Sequence, residues 1–129
     1  MSIHPLDAAL ALEPLGEGRF GGRTHPDWAN MVGPFGGITA AQLLQACLLH
    51  PQRQGEPLAL TVNYAGAIAE GGFEIEAAPA RTTRTTQHWT LTLRQGGEVC
   101  STGSAVFAIR RPTWSAPELA MPAVPPADQ

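Results

Sequence analysis

Lysine is missing from this sequence altogether. Its basic side chains are eight arginines, set against eleven acidic residues for a formal net charge of −3. With no basic tract anywhere, a cationic nucleic-acid-binding surface is not expected. Only two cysteines occur, Cys47 in a helical pattern and Cys100 in a strand pattern. That supply fits reduced, packed thiols rather than a disulfide framework. No apolar run is long and uninterrupted enough to cross a bilayer. The stretch from Met1 to Gly16 has neither the basic start nor the apolar core of a secretory signal, so a cytoplasmic location is expected. There is no Gly-x-Ser-x-Gly elbow to support a serine hydrolase. His4, His25 and His50 lack ligand spacing, so no metal is expected.

What is present is apolar: 43% of the 129 residues are hydrophobic. That suffices for one ordered domain with a modest core. Ile3–Leu15 mixes apolar and acidic residues around Pro5 and Pro14 and reads as a short helix or extended arm. Gly18–Thr24 reads as a short, glycine-interrupted strand, and His25–Asn30 as a turn, because a residue before proline resists helix. Gly33-Pro34-Phe35-Gly36-Gly37 then opens a helix running to His50, where Pro51 stops it. Thr39, Gln42 and Gln45 form its one polar stripe, and a helix so apolar elsewhere is expected to be surrounded by protein. Bare amides at a glycine-rich helix start can hold an anion or a developing oxyanion.

After a loop from Gln52 to Pro57 the apolar period changes from helical to two. Leu58, Leu60, Val62 and Tyr64 share one face; so do Phe73, Ile75 and Ala77; Trp89, Leu91 and Leu93; and Val99, Ala105, Phe107 and Ile109. Glu74, Glu76, Arg84, Thr86, His88, Thr90, Thr92 and Arg94 fall opposite. These are half-buried antiparallel strands. Gly71-Gly72 and Gly96-Gly97 read as tight turns between neighbours, and Pro79 implies a strand edge or a bulge. Five prolines between Pro112 and Pro126 mark an extended tail or linker. The expected division is an N-terminal arm (1–17), one domain (18–111) and a Pro-rich tail (112–129).

Three stretches carry a family resemblance: Asn30-Met31-Val32-Gly33-Pro34-Phe35-Gly36-Gly37, Leu60-Thr61-Val62-Asn63-Tyr64, and Ser101-Thr102-Gly103-Ser104-Ala105-Val106-Phe107. With the tail from Arg111 to Pro126, the chain resembles the N-terminal module of TesB-like, double-hotdog acyl-CoA thioesterases. The resemblance implies an α+β hotdog fold, an antiparallel sheet wrapped around one long central helix. It also implies hydrolysis of acyl-CoA to free acid and coenzyme A, with no cofactor beyond the coenzyme A of the substrate. The expected partners are a second hotdog module or a second copy, with sites between modules near the helix starts. One departure stands out. Hotdog enzymes generally place a carboxylate near the central helix, yet Gly36–Gly55 contains no Asp or Glu. In the TesB-like group the resemblance puts the catalytic Asp, Gln and Thr in the second half.

The candidate catalytic residues are therefore Gly36 and Gly37 as oxyanion donors, Thr39 and Gln42 to position a water or the acyl carbonyl, and Asp27 as the acid nearest the motif. Each has a plainer reading: close helix packing for the glycines, a bonded polar stripe for Thr39 and Gln42, and a turn for Asp27. Candidate substrate-binding residues are Asn30, Phe35, Ile38 and Tyr64, with Leu43 as a further pocket wall. Arg84 and Arg110, with Arg111, are candidates for the phosphates of coenzyme A, because guanidinium meets phosphate as a fork. His88 reads as a surface or interface histidine, and both cysteines as packing residues. The alternatives are a non-catalytic acyl-CoA-binding hotdog module and a hotdog enoyl-CoA hydratase.

Overall fold

A computed structural model describes residues 1–128. The elements in chain order are α1 (Pro5–Ala9), β1 (Glu13–Gly16), β2 (Arg19–Arg23), a 3₁₀ turn at Pro26–Trp28, β3 (Ala29–Asn30), β4 (Gly33–Pro34), α2 (Gly36–Leu49), β5 (Glu56–Tyr64), β6 (Gly72–Thr82), β7 (Thr86–Gln95) and β8 (Glu98–Ala108). Six strands form one antiparallel sheet in the order β1-β2-β6-β7-β8-β5, and β3 and β4 form a separate small hairpin. The helix α2 packs on β2, β5, β6 and β7. Its Leu43, Ala46 and Cys47 join Phe20, Ile75, Trp89, Leu91, Leu93 and Phe107 in one core.

The arm expected before residue 18 belongs to this body. β1 is the first strand of the sheet, and Ala9 is buried. The Gln42 amide donates to the Ala9 and Arg23 carbonyls at 2.9 and 3.2 Å. Thr39 and Gln42 are thus buried, and the half-exposed side of α2 carries Ala40, Ala41, Leu44, Gln45 and Leu48 instead.

Strand alternation holds along β6 and β7 and fails where an extra residue enters. Leu93 pairs with Ser101 but Arg94 pairs with Val99, so Cys100 is a bulge. Cys100 and Ser101 are both buried, while Val99 is turned outward, against the expectation that it shares a face with Ala105. A second bulge, at Leu58, leaves that residue exposed. Ile109 lies beyond the end of β8 and is also exposed. Pro79 sits next to a third bulge at Ala80, and β2 pairs with β6 only as far as Glu76. The proline therefore meets no second ladder that would need its N–H.

Gly96-Gly97 closes the β7–β8 hairpin with φ of 59° and 83°, the left-handed pair that a tight two-residue turn requires. Gly71-Gly72 does not join sheet neighbours. β5 pairs with β8, so the connection from β5 to β6 crosses two intervening strands. From Ile109 to Asp128 the chain carries no helix or strand, and its residues from Ile109 on are exposed.

Beyond α2, the buried Gln87 fastens the following loop. Its side-chain oxygen accepts from the Gln54 N–H at 2.8 Å, and its amide donates to the Gln52 carbonyl and the Thr82 hydroxyl, each at 2.9 Å. His50 packs edge-on to Trp89, ring centroids 4.9 Å apart, and its Nδ1 accepts from the Gln52 N–H. Burial disfavours the charged imidazole and lowers its pKa from the ordinary 6.5. The unfolded chain then binds a proton that the folded one refuses. Stability from this group is complete above pH 6.5 and is lost as pH falls below it. The melting temperature is expected to drop on acidification through that point, and a His50→Gln variant should show a flatter profile by scanning calorimetry.

Candidate functional site

The start of α2 is built by its flanks. Phe35 caps the helix with extended backbone (φ −55°, ψ 132°) and offers no side-chain acceptor. Its own N–H is held by the Trp28 carbonyl at 2.8 Å. The Phe35 ring lies against Gly37, where any side chain would collide with it. The Tyr64 hydroxyl donates to the Gly36 carbonyl at 2.6 Å, and a Cβ on Gly36 would come within 3.2 Å of the Tyr64 ring. Gly37 nevertheless remains exposed. The tip is flanked by two aromatic side chains and still open to a ligand. Amides in a first helical turn have no intrahelical acceptors, and the helix dipole adds positive potential there.

Asp27 and Asn30 reach this end of the molecule through the 3₁₀ turn and β3. The Asp27 carboxylate is exposed and lies 3.7 Å from His25 Nδ1. That nitrogen also accepts from the Asp27 N–H at 3.2 Å. The two contacts close a turn over residues 25–27. Asn30 Oδ1 accepts from the Met31 N–H at 2.7 Å. Asn30 also lines a groove of about 540 Å³ beside the β3–β4 hairpin.

The structure gathers Gly36, Gly37, Phe35 and Tyr64 at one place, with Asn30 and Asp27 on the segment leading into it. Other candidates lie elsewhere. Ile38 and Leu43 are 3% and 0% exposed, turned into the core rather than onto a pocket wall. Thr39 is buried, and Gln42 has its amide hydrogens committed to the fold. The backbones next to Arg84 and Arg110 are joined, the Ile109 N–H donating to the Thr85 carbonyl at 3.0 Å. The Arg84 carbonyl in turn accepts from Gln54, just past the far end of α2. A fourteen-residue helix is roughly 20 Å long, so the loop that Arg84 meets lies beyond the end of α2 opposite to Gly36. His88 is exposed on the outer face of β7. Burial pushes the Cys47 thiol up to about 12, which leaves no thiolate for nucleophilic work. Among the described residues no His, Cys, Asp and Glu cluster is suited to a metal ion, and no helix is long and apolar enough to cross a membrane.

The model for the acyl-CoA thioesterase N-terminal domain matches residues 24–108, from the approach to the hairpin to the end of β8. The chain belongs to this family. Its fold is the hotdog fold. A hotdog-fold protein of unknown function from Alicyclobacillus acidocaldarius is 53% identical, with a TM-score of 0.91 over 98% of this chain and 48% of that one. A putative thioesterase II from Thermobifida fusca YX is 24% identical, with a TM-score of 0.83 over 100% of this chain and 48% of that one. The tesB protein of Mycobacterium avium subs paratuberculosis is 22% identical, with a TM-score of 0.79 over 95% and 48%. The chain thus spans about half the length of these family relatives. No curated protein matches it.

The groove is also lined by Met31, Val32 and Ile68, which the sequence does not nominate as site residues. One signal for the hairpin was present, two large apolar side chains between Asn30 and Gly33 where a turn normally carries polar ones.

Proposed function

We propose that this chain is one module of an acyl-CoA thioesterase. It hydrolyses acyl-CoA to free acid and coenzyme A when paired with a second hotdog module, either another copy or a different chain. The observation that carries this reading is the family match across residues 24–108, which includes an α2 start whose cap supplies no acceptor. The Gly36 and Gly37 amides would receive the thioester oxygen as water adds to the carbonyl carbon. The carbon–sulfur bond then breaks, and the proton taken from water passes to the departing thiolate. One such donor is worth on the order of 3 kcal/mol in the transition state.

No carboxylate lies on α2, so the general base is Asp27 or a group of the second module. Two features favour pairing. β5 is an edge strand with only β8 beside it, and α2 leaves Leu44 and Leu48 half-exposed. Open edges and apolar helix backs are surfaces that proteins cover. Arg84 and Arg110 would then serve coenzyme A held mainly by the partner, and the tail would be the strap between modules.

The test is a free-thiol release assay across acyl lengths, on the chain alone and with an added second module. Hydrolysis in either state is expected, and Asp27→Asn separates the two origins of the base. An absence of thiol release with every acyl length in both states would overturn the reading in favour of an acyl-CoA-binding module.

A further inference from the structure

The groove beside the β3–β4 hairpin has a volume of about 540 Å³, well within the range of small-molecule sites. Two stretches distant in sequence form its walls, residues 24–34 and 67–70. Ala29, Met31, Val32, Pro34, Ala67 and Ile68 give it an apolar surface. The hairpin touches the opposite wall at Gly33, where φ is +118° and a Cβ would stand 2.8 Å from the Ile68 carbonyl oxygen. Glycine at that point sets how closely the walls approach.

Of the polar side chains along the walls, the Glu70 carboxylate is exposed to solvent and the other three are engaged within the protein. Thr24 Oγ1 accepts from the Gly71 N–H at 2.8 Å, Asn30 Oδ1 from Met31, and His25 Nδ1 from Asp27. Among the described residues, the buried side-chain polar atoms without partners are Trp89 Nε1 and Ser101 Oγ, and neither residue lines the groove. An occupant would therefore be held by removal of apolar surface from water. At the groove's edge Met31 and Val32 are 96% and 82% exposed, and an apolar occupant would shield them.

Pro34 belongs to the groove wall and stands two residues before Gly36, so the groove adjoins the start of α2. We infer that this groove binds the acyl chain of the thioester, with the carbonyl towards Gly36 and Gly37. Met31, Val32 and Ile68 set the preferred chain length. The inference rests on the thioesterase reading and relocates the acyl pocket. Ile38 and Leu43, which the sequence nominates, belong to the core.

The test uses the full chain and non-hydrolysable thioether analogues of acetyl-, octanoyl- and dodecanoyl-CoA, titrated by calorimetry. Ala29→Trp and Ala67→Trp fill the groove from different segments at exposed positions, so each checks the other against misfolding, and melting curves confirm both. Affinity should rise with chain length in the parent. Each tryptophan should lower dodecanoyl affinity by about tenfold or more and leave acetyl affinity unchanged. Length-independent binding, no binding, or an equal loss at every length in both variants overturns the inference. Length-dependent binding without thiol release would remove the catalytic reading and leave the groove assignment intact. Thiol release whose length preference ignores both tryptophans would do the reverse.

Discussion

Replacing Gly36 by proline is expected to lower turnover by about 10²- to 10³-fold, the cost of one lost oxyanion donor, while leaving the fold in place. Proline is well tolerated at the first position of a helix, where its missing N–H has no intrahelical acceptor. The residue before it must be extended, and Phe35 already is, at φ −55° and ψ 132°. The ring would sit 3.2 Å from Tyr64 at its Cβ; Tyr64 is bonded to the Gly36 carbonyl, and its exposed ring has room to shift. The same change at Gly37 is less informative, because it would force Gly36 out of helical geometry and displace Phe35. Steady-state kinetics beside a melting curve separates the outcomes. A fall in kcat with an unchanged melting temperature assigns the Gly36 amide to the transition state. Unchanged kcat removes it from the chemistry.

The largest loss of stability is expected at Trp89, a fully buried residue packed against His50 and Phe107. Trp89→Ala should cost about 3–5 kcal/mol, a large share of the 5–15 kcal/mol that typically separates folded from unfolded domains. Trp89→Phe should recover most of that. It keeps an aromatic body in the core and removes an indole N–H that has no partner, and an unmet buried donor carries its own penalty. Urea unfolding of the three proteins checks the order. Equal losses in the two variants would mean that the N–H, not the volume, matters here.

The helix and three of the four long strands were legible because their signals are local. Gly36-Gly37 opens α2 and Pro51 closes it, and between them almost every side chain is apolar. β6 as far as Ala77, and β7, alternate cleanly, since one face meets α2 and the other meets solvent. β5 is less legible because it is a sheet edge with a bulge at Leu58, so burial no longer follows parity. Val99 departs from parity for the same reason, with Cys100 as the extra residue. Gly71-Gly72 has the composition of a hairpin turn, but strand order is a long-range choice, and β5 found its partner in β8.

The site divides along the same line. The helix start could be read from five consecutive residues. The groove could not, because its walls come from residues 24–34 and 67–70, which meet only once the sheet is assembled. Ile38 and Leu43 were natural wall candidates on a helix expected to border the substrate. The direction of each side chain around α2 decided otherwise.

The bulge at Cys100 also bears on how this fold can vary in length. Strand faces are a matter of odd and even, and the added residue works as a phase correction between the hairpin tip and the rest of β8. A single-residue gain or loss on the Gly96-Gly97 side would be absorbed by rotation of an exposed tip. The same change between Thr102 and Ala108 would exchange inside for outside, sending Ala105 and Phe107 into water. Tolerance of insertions and deletions along this hairpin should therefore be lopsided, permissive at the turn and strict from Ser101 onward.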